Sequence, residues 1–321
     1  MNKNFFSFIL MTALFAAAFS SCKKDKETHT VTFYSNDGSE VVAQTIAEGE
    51  KAAEPQPEPT REGYFFGGWY TDNSAFTNKW DFKTDVVTDN ITLYAKWGTV
   101  RLLETLTYEN TLYGDVKYDR CKFEYDEQNR ITKISYYFSG GDLYYTNTFT
   151  YAGDDLVQVL SRYSNGNVAT YEYTKNGNII TQNGTVTIEL NSDGLPVTRE
   201  EERSGPTIVE TFEYQDGNLT KNVITSTGNT DVYFYTYYYD NKKGALYHCK
   251  TPKWYLILYL NDFGVENNVI EGAGEHFFLP LCSVYTYEYD GAEFPAKRTS
   301  KNYGHNANYS ESINEFIYIT K

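Results

Sequence analysis

Between residue 99 and the C-terminus one hydrophobic phrase keeps returning. Two apolar, mostly aromatic positions flank a single polar one, a short polar turn follows, and another apolar residue closes the unit. It reads Phe123-Glu124-Tyr125 through Asp126-Glu127-Gln128-Asn129 to Ile131, and Phe149-Thr150-Tyr151 through Gly153-Asp154-Asp155 to Leu156. Tyr171-Glu172-Tyr173 runs through Asn176-Gly177-Asn178 to Ile179, and Ile188-Glu189-Leu190 through Asn191-Ser192-Asp193-Gly194 to Leu195. Phe212-Glu213-Tyr214 leads through Asp216-Gly217-Asn218 to Leu219; Tyr237-Tyr238-Tyr239 and Tyr287-Glu288-Tyr289 each run into an aspartate turn. A period of two marks strands with one buried and one wet face. Asn-Gly and Asp-Gly supply the positive φ angles that short hairpin turns require. Each unit is therefore a β-hairpin, and a lone hairpin cannot bury its face. These hairpins plus residues 313–320 predict one antiparallel meander of roughly 14 to 16 strands, too many for a flat sheet, so it curls toward a barrel.

Residues 29–98 carry a different pattern. Val31-Thr32-Phe33-Tyr34 alternates as a strand, Ser35-Asn36-Asp37-Gly38 makes a tight turn, and residues 41–46 read as the return strand. Pro55, Pro57 and Pro59 exclude helix and central strand, leaving an extended crossover. Then follow Pro59-Thr60-Arg61-Glu62-Gly63-Tyr64, Gly68-Trp69-Tyr70, Trp80-Asp81-Phe82 and Leu93-Tyr94-Ala95-Lys96-Trp97. This succession closely resembles the Listeria–Bacteroides repeat, the B-repeat of internalin-type surface proteins. The resemblance implies a β-grasp-like module that serves as spacer or interaction unit, and it implies no chemistry. Trp69, Trp80 and Trp97 are expected to share the core, because a small domain depends on large aromatics for burial. The 99–321 segment resembles YD-type repeats. More closely it resembles a Bacteroides lipoprotein domain of unknown function with a porin-like fold, through Tyr237-Tyr238-Tyr239-Asp240-Asn241-Lys242-Lys243, Asn267-Asn268-Val269 and Tyr285-Thr286-Tyr287-Glu288-Tyr289. The expected fold class is mainly β: a small β-grasp-like module, then a barrel-like meander that is porin-like yet soluble. A spanning barrel needs an apolar outward band, whereas these strands alternate aromatics with Glu, Lys and Thr.

The N-terminus has its own signal. Asn2-Lys3-Asn4 precedes an apolar run over residues 5–19, and Ser20-Ser21 stand before Cys22. A charged start, a short apolar stretch and small residues at a cut describe a secretory signal peptide over 1–21. A cysteine there resembles a lipobox, which implies lipid attachment at Cys22, although Phe19 stands where that motif usually has Leu. Cleavage after Ala16-Ala17-Ala18 is the rival, giving a periplasmic protein without lipid. Residues 22–28 read as a charged tether, or as a signal for the outer face of the outer membrane.

Composition narrows the partners. The chain has 321 residues with a formal charge of −15, and 31 tyrosines, of which four lie before residue 99. So acidic a surface with no basic block argues against nucleic acid. Tyrosine at this density favours strands and leaves rings on which sugars can stack. No G-x-S-x-G, G-x-x-x-x-G-K or H-E-x-x-H motif occurs, and His29, His248, His276 and His305 share no ligand spacing. Catalytic residues, cofactors and metal ligands are thus not expected. Asp154-Asp155 sits in a turn, and Glu200-Glu201-Glu202 reads as a solvated edge.

An insertion at about 249–282 interrupts the repeat with Trp254-Tyr255-Leu256-Ile257-Leu258-Tyr259-Leu260 and Phe277-Phe278-Leu279-Pro280-Leu281. It reads as a plug for the curled sheet, or else as the wall of a ligand groove. Cys249 and Cys282 bracket it and are expected to form a disulfide in an oxidising compartment, with Cys121 a lone buried thiol; three cysteines leave other pairings open. The expected function is a non-catalytic, lipid-anchored envelope protein that binds a polysaccharide or another envelope protein. A ligand-free spacer and a glycan hydrolase are the alternatives.

Overall fold

The computed structural model describes residues 26–110, 119–228, 232–276, 279–303 and 309–321. It contains two compact units, one running through Glu62 and then Phe66–Gly98, the other made of Gly63–Phe65 and Thr99–Lys321.

The small unit is a four-stranded sheet of β1 (Thr28–Tyr34), β2 (Gln44–Ala47), β3 (Tyr64–Tyr70) and β4 (Ile91–Thr99), ordered β2-β1-β4-β3. The parallel pairing of β1 with β4, flanked by the other two, gives the β-grasp-like order. β1 alternates strictly, burying Val31 and Phe33. The return strand is shorter than its pattern suggests, because Val42 lies out in solvent and pairing begins only at Gln44. Trp69 and Trp80 are buried, and the Trp97 indole donates to the Ser35 carbonyl at 2.7 Å. Phe33 meets Trp69 edge-on at 4.9 Å, and Phe66 touches both Trp69 and Trp97. Core packing thus occupies the rings that stacking on a sugar would need.

The large unit is one barrel. Its strands are β5 (Arg101–Asn110), β6 (Arg120–Tyr125), β7 (Ile131–Tyr137), β8 (Leu143–Ala152), β9 (Asp155–Tyr163), β10 (Val168–Asn176), β11 (Ile179–Gln182) and β12 (Val186–Leu190). There follow β13 (Pro196–Glu201), β14 (Ile208–Gln215), β15 (Asn218–Ser226), β16 (Tyr233–Lys243), β17 (Asn267–His276), β18 (Leu279–Tyr289), β19 (Pro295–Tyr303) and β20 (Tyr309–Thr320). Each pairs antiparallel with its sequence neighbours, and β20 closes the ring on β5, with Phe316 opposite Leu106. Closure removes the two open edges that a meander would otherwise expose.

The recurring aromatic phrase has a structural reason. At the turn end of the hairpins the register slips by one residue: Glu124 faces Lys133, but Tyr125 faces Ile131. The same slip places Tyr151 opposite Leu156, Tyr214 opposite Leu219, Tyr239 opposite Val269 and Tyr318 opposite Leu103. A bulge interrupts the ladder and leaves a backbone group to be satisfied otherwise. The tyrosine of the next hairpin does this. The hydroxyls of Tyr125, Tyr151 and Tyr214 donate to the carbonyls of Leu103, Ile131 and Pro196 at 2.7–2.8 Å. Tyr287 and Tyr318 do the same for Val269 and Pro295 at 2.9 Å. Burial pushes these phenols up, Tyr287 to about 12, so they remain donors. Tyr214→Phe is therefore expected to cost about 1 to 3 kcal/mol, the penalty of an unpaired buried carbonyl. Urea unfolding should show that loss, while Tyr238→Phe, on a ring 56% exposed, leaves the midpoint unchanged. Equal midpoints for both variants would refute the role.

The polar member of the phrase faces outward. Glu124, Glu213 and Glu288 lie opposite Lys133, Lys221 and Lys297 and pair with them at 3.2, 3.3 and 3.7 Å. These are cross-strand charges on exposed surface, where a membrane-spanning barrel carries an apolar band.

Candidate functional site

Residues 244–266, between β16 and β17, turn into the barrel. Helix α1 (Lys253–Leu260) buries Trp254, Tyr255, Leu256, Ile257 and Leu260. A helix apolar on nearly every side is stable only when surrounded, and the lumen surrounds it: Trp254 meets Tyr173 at 5.1 Å and Tyr255 meets Phe149 at 5.3 Å. Gly244 and Gly264 cross so closely that a Cβ on Gly244 would collide with the Gly264 carbonyl. The Thr251 hydroxyl accepts from the Ile131 amide at 2.8 Å and lies 3.0 Å from the Tyr151 hydroxyl. His248 Nδ1 accepts from the Arg101 amide at 2.9 Å. Burial, with Lys243 nearby, pulls this imidazole down to about 4, so it is neutral and fit to accept.

The segment is both plug and wall. Its buried face completes the core, and its end floors two cavities of about 530 and 460 Å³. The two share Tyr136, Tyr145, Tyr259 and Leu260, so they are lobes of one lumen. Tyr136 and Tyr145 stack at 4.1 Å with planes 8° apart, and Tyr163 stacks on Tyr145 at 5.3 Å. On β17, Gly272 and Gly274 lie under the Tyr237 and Tyr235 rings, and a Cβ on Gly274 would sit 2.7 Å from Tyr235 Cε1.

A polar belt crosses these rings. Arg199 on β13 holds Glu210 at 2.6 Å and Glu201 at 2.9 Å, and Asn222 Nδ2 donates to the other Glu210 oxygen at 3.1 Å. The Tyr259 hydroxyl donates to Gln182 at 2.8 Å. Arg298 donates to Asn314 at 3.0 Å and to the Asp262 main-chain oxygen at 2.7 Å. The Arg203 and Arg199 guanidiniums hold the Glu201 carboxyl below its usual range. Asn222 is buried, yet its Oδ1 has no partner. The arrangement offers ring faces, fixed donors and fixed acceptors: binding chemistry. Among the described residues no group of three or more His, Cys, Asp or Glu could hold a metal ion, and no helix is long and apolar enough to cross a membrane.

The sequence-derived candidates fare unevenly. Cys22 lies outside the described residues. Cys249 and Cys282 do not form the expected disulfide; both are free thiols. Cys249 is buried beside Thr251 and Ile131 at the turn end, its thiol raised to about 11 by burial. Cys282 sits near the start of β18, opposite Ala273, toward the other end of the barrel. A disulfide needs Cα atoms within about 7 Å. The expected insertion was also too wide, since β17 and the start of β18 belong to the wall. Cys121 is buried, its thiol raised to about 12 by burial, but it is not the lone buried thiol expected, since Cys249 is buried and free as well.

Pattern reading missed the belt. Glu201 is not a solvated edge: alternation turns it inward with Arg199, and register sets Arg199 opposite Glu210. The legible signal was opposite charges at Arg199 and Glu201, two apart on one strand, facing a third across the hairpin.

Fold and site define a class: a small β repeat module followed by a plugged, closed antiparallel β-barrel. Residues 29–96 match the family model of the Listeria–Bacteroides repeat domain. A Gly-rich protein of Evansella cellulosilytica, described as a membrane protein, is 49% identical over 69 residues, 22% of this chain and 8% of its own. Internalin H of Listeria monocytogenes is 36% identical over 119 residues, 36% of this chain and 20% of its own. The chain thus spans at most a fifth of these curated relatives. Porin-like proteins from Bacteroides uniformis and Bacteroides vulgatus are similar at a TM-score of 0.34 and 12% identity. Each match covers 68% of this chain, and 98% and 99% of the respective neighbour.

Proposed function

We propose that this chain is a non-catalytic cell-envelope protein that binds a saccharide in the plugged lumen of its barrel, with the small repeat as a spacer. The observation that carries this reading is the tyrosine platform of Tyr136, Tyr145 and Tyr259 over a polar belt, in a cavity floored by the protein's own helix. Sugars present apolar ring faces and hydroxyl edges, and stacked phenols beside amides and paired charges complement both. A relative that shares the repeat is described as a membrane protein, which supports an envelope address, and lipidation at Cys22 would supply the anchor. Such a protein would sit on the outer membrane, at the cell surface or facing the periplasm.

Calorimetric titration of the protein with neutral glucan oligomers is expected to show binding that weakens at least tenfold in Tyr145→Ala/Tyr259→Ala. Acidic uronate oligomers should bind less well, because the chain's charge of −15 repels them. A folded protein that binds no oligomer would favour the spacer reading, in which the plug serves stability alone.

A further inference from the structure

The belt is not electrically balanced. Among the described residues, five charged groups line the two lobes: Glu201, Glu210 and Asp262 against Arg199 and Arg298. Arg199 is shared between Glu201 and Glu210. The Arg298 guanidinium is directed at Asn314 and at the Asp262 backbone, and it stacks on Tyr285 at 5.2 Å. The Asp262 carboxylate, exposed to the cavity just beyond α1, has no ion pair among the described residues. Burial and the Asp262 charge keep Tyr237 and Tyr285 protonated, so these neutral phenols bring it no compensating charge. The same lobe contains Asn222, over nine-tenths buried, with its Oδ1 unpartnered. The amide orientation is fixed, because flipping it would turn oxygen toward the Glu210 carboxylate. This lobe therefore presents a free anion and a free acceptor among the rings of Tyr108, Phe212 and Tyr237.

We infer that the saccharide taken by this lumen carries a free amino group, with Asp262 as its counter-ion and Asn222 as a second acceptor. The inference rests on the saccharide reading above and narrows it. An ammonium has donors and no acceptor, which suits a carboxylate beside an amide oxygen whose own Nδ2 is already engaged by Glu210. It also adds the one positive charge that the lumen lacks, and tyrosine faces favour a cation. A hydroxyl would satisfy Asn222 but leave Asp262 uncompensated, and an N-acetylated sugar would bring no charge.

The test uses three probes of equal length: a β-linked glucosamine tetramer, its N-acetylated counterpart and a neutral glucose tetramer. At pH 6 and low salt the glucosamine tetramer is expected to bind the protein on the order of tenfold more tightly than the other two, the scale of one charge-assisted contact. Asp262→Asn should bring the glucosamine tetramer down to the affinity of its N-acetylated counterpart, and raising the pH to 9 should do the same in the unaltered protein. Equal binding of all three tetramers, or a preference that survives Asp262→Asn, would overturn the amine assignment and leave the lumen reading standing. If none of the three binds, the lumen reading fails and the amine assignment with it.

Discussion

Replacing Trp254 with alanine is expected to destabilise the barrel by about 3 to 5 kcal/mol, the range for removing a large aromatic from a packed core. Trp254 is 4% exposed and lies against Tyr173 on one side and Tyr255 on the other. A barrel this wide cannot fill its lumen with wall side chains alone, so α1 supplies the missing volume. Tyr259→Ala, five residues further along the same helix at a residue 40% exposed, is expected to cost less, about 1 kcal/mol, chiefly the lost hydroxyl bond to Gln182. Chemical denaturation of both variants separates packing inside the lumen from helix propensity, which alanine improves at either position. A Trp254→Ala barrel as stable as the unaltered one would mean that the helix is not the plug.

The second large effect belongs to the belt. Arg199→Met is expected to cost about 3 kcal/mol at neutral pH, because it strands Glu210 and leaves Glu201 with Arg203 alone in a wall that buries most of each side chain. The outward pair Glu124–Lys133 gives the contrast: Lys133→Ala should change stability by under about 0.5 kcal/mol, as screened surface pairs do. The pH dependence distinguishes charge from packing. In the unaltered protein Glu201 is depressed, so its contribution is present above the unfolded carboxyl range and lost as pH falls through the folded value. Without Arg199 the Glu201 carboxyl keeps only Arg203, so it draws less stability from charge pairing, and the deficit of the variant is full at pH 7.5 and shrinks toward pH 4.5. A deficit of the same size at both pH values would assign the effect to lost packing.

How far the sequence could be read depended on what each pattern encodes. Hairpins were legible because Phe-x-Tyr alternation and an Asp216-Gly217 turn, with φ of +51° and +80°, act locally. Closure was not, since open and closed meanders share every hairpin and differ only where β20 meets β5. β17 is hidden from the pattern because Gly272 and Gly274 stand where other strands carry aromatics, which the Tyr237 and Tyr235 rings across the ladder explain. The belt escaped for a related reason: a period of two assigns charges to the wet face, and a partly filled lumen has a second wet face. Tyrosine was legible as strand-former and ring face but not as bulge cap, a role that appears once Tyr125 and Leu103 are seen side by side on β6 and β5.

The central claim is that the lumen, not the small repeat or the outer wall, holds the ligand. Hydrogen–deuterium exchange of the protein with and without a saturating glucosamine tetramer tests it most directly, because exchange reports where the backbone is protected. The account predicts added protection in peptides covering α1 and residues 261–263, and in β13 and β14 around Arg199 and Glu210, with residues 29–96 unchanged. Protection confined to residues 29–96, with the plug and belt unaffected, would contradict it.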